Sequence, residues 1–192
     1  MCIRDSVETN PEESIQIFEN ETFTVETIPL KHKIPCNGYL FREKPRQKNI
    51  KEDIVEKYQL NVSQILALKE GKTIETQIGN LTPVEALYTK FEPKSYAYCS
   101  DTIYLPELIT QLQGVDLLYH EATYTNEFQV QARERGHSTA AEAAQLAKEA
   151  NIKKLLIGHP SSKYIQVELL VQEAKEVFDN VEFAEEGKTF DL

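Results

Sequence analysis

The chain contains no apolar run near the ~20 residues a membrane span needs, and no basic-then-apolar signal peptide opens it. It has only three cysteines, Cys2, Cys36 and Cys99, an odd number without C-x-x-C spacing. That excludes a disulfide framework and a zinc ribbon, and it fits a reducing, cytoplasmic setting. Basic charge is also scarce, for the net charge is −10. Taken whole, this is a poor match for a nucleic-acid binder. The balance is uneven, however: residues 31–57 hold eight Lys/Arg against four acids, a local +4 that leaves −14 for the remainder. A basic stretch of that kind can contact phosphates while the rest of the surface stays acidic. Its plainer reading is a solvated, charged connection.

The 192 residues suffice for one domain with a real core or for a large piece of a bigger one. The opening "MCIRDSVETNPEES" has no period and resembles translated sequencing adapter, so 1–22 is expected to be a non-native or poorly ordered leader. "FTVETIPL" (23–30) and "CNGYLF" (36–41) predict a hairpin-like pair of strands. Within 42–95, "NIKEDIVEKYQL" and "VSQILALKEG" predict short helices, the second ended by Gly71. Beyond residue 95 the order is cleaner: strand "SYAYC", helix "LPELITQLQG", strand "VDLLY", helix "STAAEAAQLAKEA", strand "KKLLI", helix 164–180 and strand "VEFA". Thr139 and Glu142 have the spacing of a capping box. Alternation of this kind predicts an α/β layered fold.

Three of these strands end in chemically capable residues: Asp101, His120/Glu121 and His159. His137 stands just before a helix and so lies at the same edge, and His32 also follows a strand. Active sites in α/β folds collect where strands deliver their C-terminal ends. His and Asp are the usual ligands of hydrolytic zinc, and an aspartate can bridge two ions. Each residue also has a structural reading. A histidine at a strand end can simply hydrogen-bond, and Asp101 can cap the helix that follows.

"IPLKHKIPCNGYLF", "YCSDT", "LLYHEATY", "GHSTAAEAA" and "LLIGHPSSKY" occur in the order seen in ribonuclease Z, the tRNA 3′-processing endonuclease of the metallo-β-lactamase fold. From about Phe23 to the C-terminus the chain resembles that family. The resemblance implies the C-terminal half of a metallo-β-lactamase αβ/βα sandwich in a homodimeric parent with two zinc ions per subunit. It implies that His32 binds the first zinc, Asp101 bridges both and His159 binds the second. Glu121 and His137 would move a proton or steady the scissile phosphate of precursor tRNA, leaving a tRNA with a free 3′-hydroxyl and a trailer. The family's His-x-His-x-Asp-His motif is absent and is expected upstream of His32, which would leave this chain alone inactive. The interval 42–95 corresponds to the family's tRNA-gripping arm. It lacks a Gly-Pro pair but carries "FREKPRQKNIK", from which Arg42, Lys44, Arg46 and Lys48 are expected on an exposed RNA-binding extension. Pro160 and Lys163 stand where an apolar residue and an arginine are expected. The alternatives are another hydrolase of this fold, acting on a small phosphodiester, ester or thioester, and a non-catalytic half-domain.

Overall fold

The computed structural model describes residues 8–164 and 166–192. Contacts divide them into two compact units, one made of the chain up to Glu43 together with Lys94–Leu192, the other of Lys44–Pro93.

The larger unit is built on one seven-stranded sheet whose spatial order equals its chain order. Its strands are β1 (Gln16–Glu19), β2 (Phe23–Pro29), β3 (Asn37–Glu43), β4 (Ser95–Cys99), β5 (Leu117–Glu121), β6 (Lys154–Gly158) and β7 (Val181–Phe183). The first four pair antiparallel, and β4 to β7 pair parallel. Parallel neighbours need long crossovers. These carry helices α1 (Leu108–Leu112), α2 (Gln129–Arg135), α3 (Ala140–Glu149) and α4 (Glu168–Lys175). β2 runs in the same direction as β4, because each is antiparallel to β3. The C-terminal ends of β2, β4, β5 and β6 therefore lie along one edge.

Strand alternation sorts the side chains. Ile28, Leu40, Ala97, Cys99, Leu118, Leu155 and Ile157 face the helices and pack with Leu108, Leu112, Leu170 and the alanines of α3. Ala140, Ala143, Ala144 and Ala147 are fully buried, and with no side chain beyond Cβ they let α3 lie close on the sheet. The other face carries an aromatic row, Tyr39 opposite Tyr98 opposite Tyr119, and beside it Phe41 opposite Tyr96. Tyr98 and Tyr119 stack with ring centroids 4.7 Å apart, and Tyr39, Phe41 and Tyr98 are exposed.

At the opposite edge Asp116 fastens the parallel strands together. It accepts hydrogen bonds from the Ser95 backbone N–H (2.8 Å), Ser95 Oγ (2.7 Å) and Lys153 Nζ (2.7 Å).

The smaller unit holds helices Glu52–Tyr58 and Val62–Lys69, a hairpin of Ile74–Thr76 with Gly79–Leu81, and a short helix Pro83–Ala86. Leu60, Leu68, Leu81, Ala86 and Leu87 form a core of their own. No helix among the described residues is long and apolar enough to cross a membrane.

Several elements differ from the expectations. Residues 1–7 of the expected leader lie outside the described residues, but Gln16–Glu19 of that leader form an edge strand paired with β2. β5 is shifted two residues onward and runs through His120 and Glu121. The helix expected over 164–180 spans Glu168–Lys175, and Ile165 lies outside the described residues.

Candidate metal and catalytic centre

Four loops and the turn before α3 bring the chemistry together at the C-terminal edge. The loop after β2 is tied to the loop after β4 by Lys31 N to Thr102 Oγ1 (3.2 Å) and Ile103 N to Lys31 O (3.1 Å). The loops after β5 and β6 are tied by Ala122 N to Gly158 O (2.8 Å) and Ser161 N to Thr123 O (3.0 Å). A bridge between Tyr124 and Thr139 sets the turn before α3 beside them. That turn is fixed by the capping box read from the sequence: Thr139 Oγ1 accepts from Glu142 N, and Glu142 accepts from Thr139 N.

Asp101, His137 and His159 converge, each offering a ligand atom within 4.8 Å of the others. His159 Nε2 lies 3.5 Å and His137 Nδ1 4.0 Å from Asp101 Oδ1. Ligand atoms held about 2 Å from one zinc ion lie somewhat over 3 Å from each other, so the spacing suits a single shared ion after small adjustments. Asp101 (φ 57°) and His159 (φ 58°) both adopt the left-handed conformation without being glycine. Such a backbone costs on the order of 1–3 kcal/mol per residue and collects at functional sites. Among the described residues the two others, Gln59 and Asn151, sit at helix C-termini, where the conformation is ordinary.

The histidines share a second feature. Each has Nδ1 engaged by an oxygen: His32 with Gly136 O (2.8 Å), His137 with Glu121 Oε1 (2.8 Å) and His159 with Thr123 Oγ1 (3.0 Å). In His32 and His159 a neutral ring that donates its Nδ1–H in that bond keeps its lone pair on Nε2, the arrangement usual for metal-ligating histidine. The donor set therefore fits a metal. His32 lies outside the group of three, but its ring is 4.9 Å from that of His137.

Glu121 is fully buried and is the organiser of the centre. Its Oε1 accepts from Thr102 N (2.7 Å) and His137 Nδ1 (2.8 Å), and its Oε2 from Thr123 Oγ1 (2.5 Å) and Ser138 N (3.2 Å). Burial pushes its pKa up, but the bonds from His137 and Thr123 outweigh that and hold it below the usual carboxylate range. The same bond holds the His137 pKa above its ordinary value, against burial. His120 points into the helix-side layer, at the register of Cys99 and Ile157. Burial lowers its pKa, Nδ1 bonds Glu121 O (2.7 Å), and Nε2 has no partner among the described residues. His120 is thus a neutral core residue.

Nothing in the pattern of residues singles out Thr102, Thr123, Ser138 or Gly136, although all four lie inside the quoted motifs. Gly136 (φ 85°) passes so close to His32 that a Cβ there would come within 2.6 Å of Nδ1.

The four basic residues expected together on an exposed extension divide. Arg42 belongs to β3, is half-buried, and its guanidinium donates to Gln111 O (2.9 Å), because sheet pairing with Thr24 and Ser95 fixes its place. Lys44, Arg46 and Lys48 belong to the smaller unit; Arg46 and Lys48 are exposed, and Arg46 lies 3.8 Å over the Phe91 ring.

No family model matches the chain. Ribonuclease Z of Bacteroides thetaiotaomicron is 42% identical over 181 residues, covering 94% of this chain and 57% of its own length. Ribonuclease Z of Phocaeicola vulgatus is 42% identical over 171 residues, 88% of this chain and 55% of its own length. That of Cytophaga hutchinsonii is 39% identical over 93% of this chain and 58% of its own length. The chain thus spans somewhat over half the length of the curated relatives it matches. Among solved structures, a metallo-β-lactamase fold protein from Bacillus subtilis aligns with a TM-score of 0.60 at 19% identity, over 96% of this chain and 55% of that one. Human tRNase Z, short form, aligns with a TM-score of 0.53 at 24% identity, over 91% of this chain and 45% of that one.

Proposed function

Starting from a chain that is a ribonuclease Z homologue with about half of a metallo-β-lactamase fold, we propose that it belongs to a zinc-dependent endoribonuclease that removes the 3′ trailer from precursor tRNA. In this reading the intact enzyme is a cytoplasmic homodimer with two zinc ions per subunit. The observation that carries it is the convergence of Asp101, His137 and His159 within 4.8 Å, with the His32 ring 4.9 Å from that of His137.

His32, Asp101 and His159 hold the metal, and bound zinc would polarise the phosphodiester and make a nucleophilic water available at neutral pH. His137 holds a proton at Nε2 and gives it to the 3′ oxygen as that oxygen leaves. Glu121, fixed by its four donors, keeps the ring oriented and favours its protonated form. Thr123 and Ser138 keep Glu121 in place. Lys44, Arg46 and Lys48 contact the tRNA from the smaller unit, with Arg42 at the end of β3 beside them in the chain.

A competing role for His137, as a third ligand of the metal, is favoured by its inclusion with Asp101 and His159 within 4.8 Å. Zinc counts separate the two. His137→Ala keeps the zinc content of the wild type if His137 carries the proton, and loses it if His137 is a ligand. His32→Ala gives the opposite pattern.

The whole reading is tested by purifying the chain in zinc buffer, counting bound metal and assaying trailer removal. Two ligands per ion are few for tight binding. The 192 residues alone are expected to hold zinc weakly and leave precursor tRNA uncut, while a parent protein carrying the His-x-His-x-Asp-His motif cuts it. A parent that hydrolyses only small diesters such as bis(p-nitrophenyl) phosphate would overturn the tRNA reading.

A further inference from the structure

We propose that Lys163 is a phosphate anchor for the RNA strand at the rim of the metal centre, held there by a seat of three aromatic rings, Tyr124, Phe128 and Tyr164. The proposal rests on the RNA-cleaving reading above and adds a substrate-positioning residue to it.

Lys163 Nζ lies 2.9 Å from the centroid of the Phe128 ring, 4.8 Å from that of Tyr164 and 4.9 Å from that of Tyr124. The seat is itself fixed. Tyr124 is buried, and its hydroxyl accepts from Arg135 Nη1 (3.3 Å). The Tyr164 hydroxyl accepts from Thr125 N (2.8 Å), and Tyr164 N donates to Ser161 O (2.9 Å). The lysine is on the loop that carries His159, and Tyr124 stands 6.4 Å, ring to ring, from His137. The ammonium is thus connected to the centre through a single aromatic ring.

A lysine on a flexible four-carbon stem ordinarily wanders through solvent. Here three π faces hold the head in one place. Aromatic faces attract a cation without neutralising it. Among the described residues no carboxylate lies within ion-pair distance of Lys163, and the residue is exposed. Its full positive charge and its outward N–H groups therefore remain available to an incoming anion. The surroundings make this useful: the chain carries −10 overall, and two of its carboxylates, Asp101 and Glu121, lie in the centre. A phosphodiester approaching across that acidic surface is received by a fixed cation at the rim of the centre. A purely structural lysine would serve by covering the rings with its methylene stem. Methionine preserves that covering and removes the charge, so the two roles separate.

The test is binding of a fluorescein-labelled precursor tRNA with a 3′ trailer to the 192-residue chain, read by anisotropy over a KCl series. Lys163→Met is expected to weaken binding roughly tenfold at low salt and to flatten the log–log salt slope by about 0.7–0.9. Its thermal midpoint should stay that of the wild type; Lys163→Gln serves as the second neutral variant if it does not. Lys163→Arg should keep most of the affinity. Phe128→Leu, which keeps the charge but removes the nearest ring, should weaken binding severalfold. Wild-type affinity and slope in both neutral variants would overturn the anchor and leave the RNA reading standing. Loss in Lys163→Met with none in Phe128→Leu would overturn the aromatic seat. A wild-type chain that does not bind the RNA even at low salt would overturn the anchor, the RNA reading being decided by the parent's cleavage of precursor tRNA.

Discussion

Replacing Glu121 by Gln changes one atom in a buried group that accepts four hydrogen bonds, and its cost follows from which acceptors survive. If the Gln oxygen takes the Oε1 position, Thr102 N and His137 Nδ1 keep an acceptor. The amide nitrogen then faces Thr123 Oγ1 and Ser138 N. The threonine hydroxyl can turn and accept. The Ser138 N–H cannot, so one buried donor is stranded, at about 1–3 kcal/mol. The two surviving bonds also fall from charge-assisted to neutral, which roughly halves them. Against this, a neutral amide no longer carries the desolvation cost of a buried carboxylate. The net expectation is a loss of about 2–3 kcal/mol. Equilibrium urea unfolding of metal-free protein in EDTA measures it. With m of roughly 2 kcal/mol/M, typical of small proteins, the midpoint should fall by about 1 M at constant m. Glu149→Gln is the control. That side chain is exposed, accepting from Tyr104 and Gln145, and should move stability by less than about 0.5 kcal/mol. A Glu121→Gln midpoint within experimental scatter of the wild type would refute the account of Glu121 as the organiser of the centre.

Asp116 should govern the acid limb of stability. Burial raises its pKa, but bonds from Lys153 and Ser95 outweigh this and hold it below the ordinary value, so its contribution is complete above about pH 4 and vanishes as pH falls through the lowered folded value. Asp116→Asn should accordingly be less stable than the wild type at neutral pH, and the gap in urea midpoints should close below about pH 4. Gly136→Ala forces a left-handed alanine and drives a methyl against His32. We expect a loss of about 2–3 kcal/mol by urea unfolding and a displaced His32 Cε1–H resonance, whereas Gly187→Ala, with open space around it, should leave that resonance in place. The aromatic face of the sheet should bind a hydrophobic dye and drive concentration-dependent association in sedimentation; Phe41→Ser combined with Tyr98→Ser should reduce both.

Much of this architecture was legible, and the exceptions share a cause. β4 and β6 announce themselves by short apolar runs between polar residues, and α3 by its alanines and capping box. The residue pattern puts β5 two residues early because Asp116 reads as part of an apolar strand, while His120 and Glu121 read as a loop. In the fold Asp116 is an anchor outside the strand, and the two polar residues are buried inside it, Glu121 held by Thr102, His137 and Ser138 and His120 bonded through Nδ1 to its neighbour's carbonyl. Helix α2, "QVQARER", was missed because it buries only Ala132 and leaves no apolar stripe. β1 was missed because its four residues do not alternate. Asp101, His137 and His159 could be named from the sequence because a common edge follows from strand order. Their support by Thr102, Thr123 and Ser138 could not, since hydrogen bonds to a buried carboxylate leave no periodic mark. Arg42 was misjudged for the opposite reason: a run of basic residues looks like one feature, but the end of β3 cuts it in two.

The stacked rings on the uncovered face of the sheet also make this protein its own optical gauge. The chain has no tryptophan, so its near-ultraviolet signal comes chiefly from nine tyrosines. Four of them, Tyr39, Tyr96, Tyr98 and Tyr119, sit on that single face, two in a stack tilted by only 14°. Any polypeptide layer that settles on the face dries these rings and fixes their mutual angles, which sharpens near-ultraviolet circular dichroism and shifts tyrosine emission. Covering of the sheet can therefore be followed in real time, without a label, by light absorbed at the surface being covered.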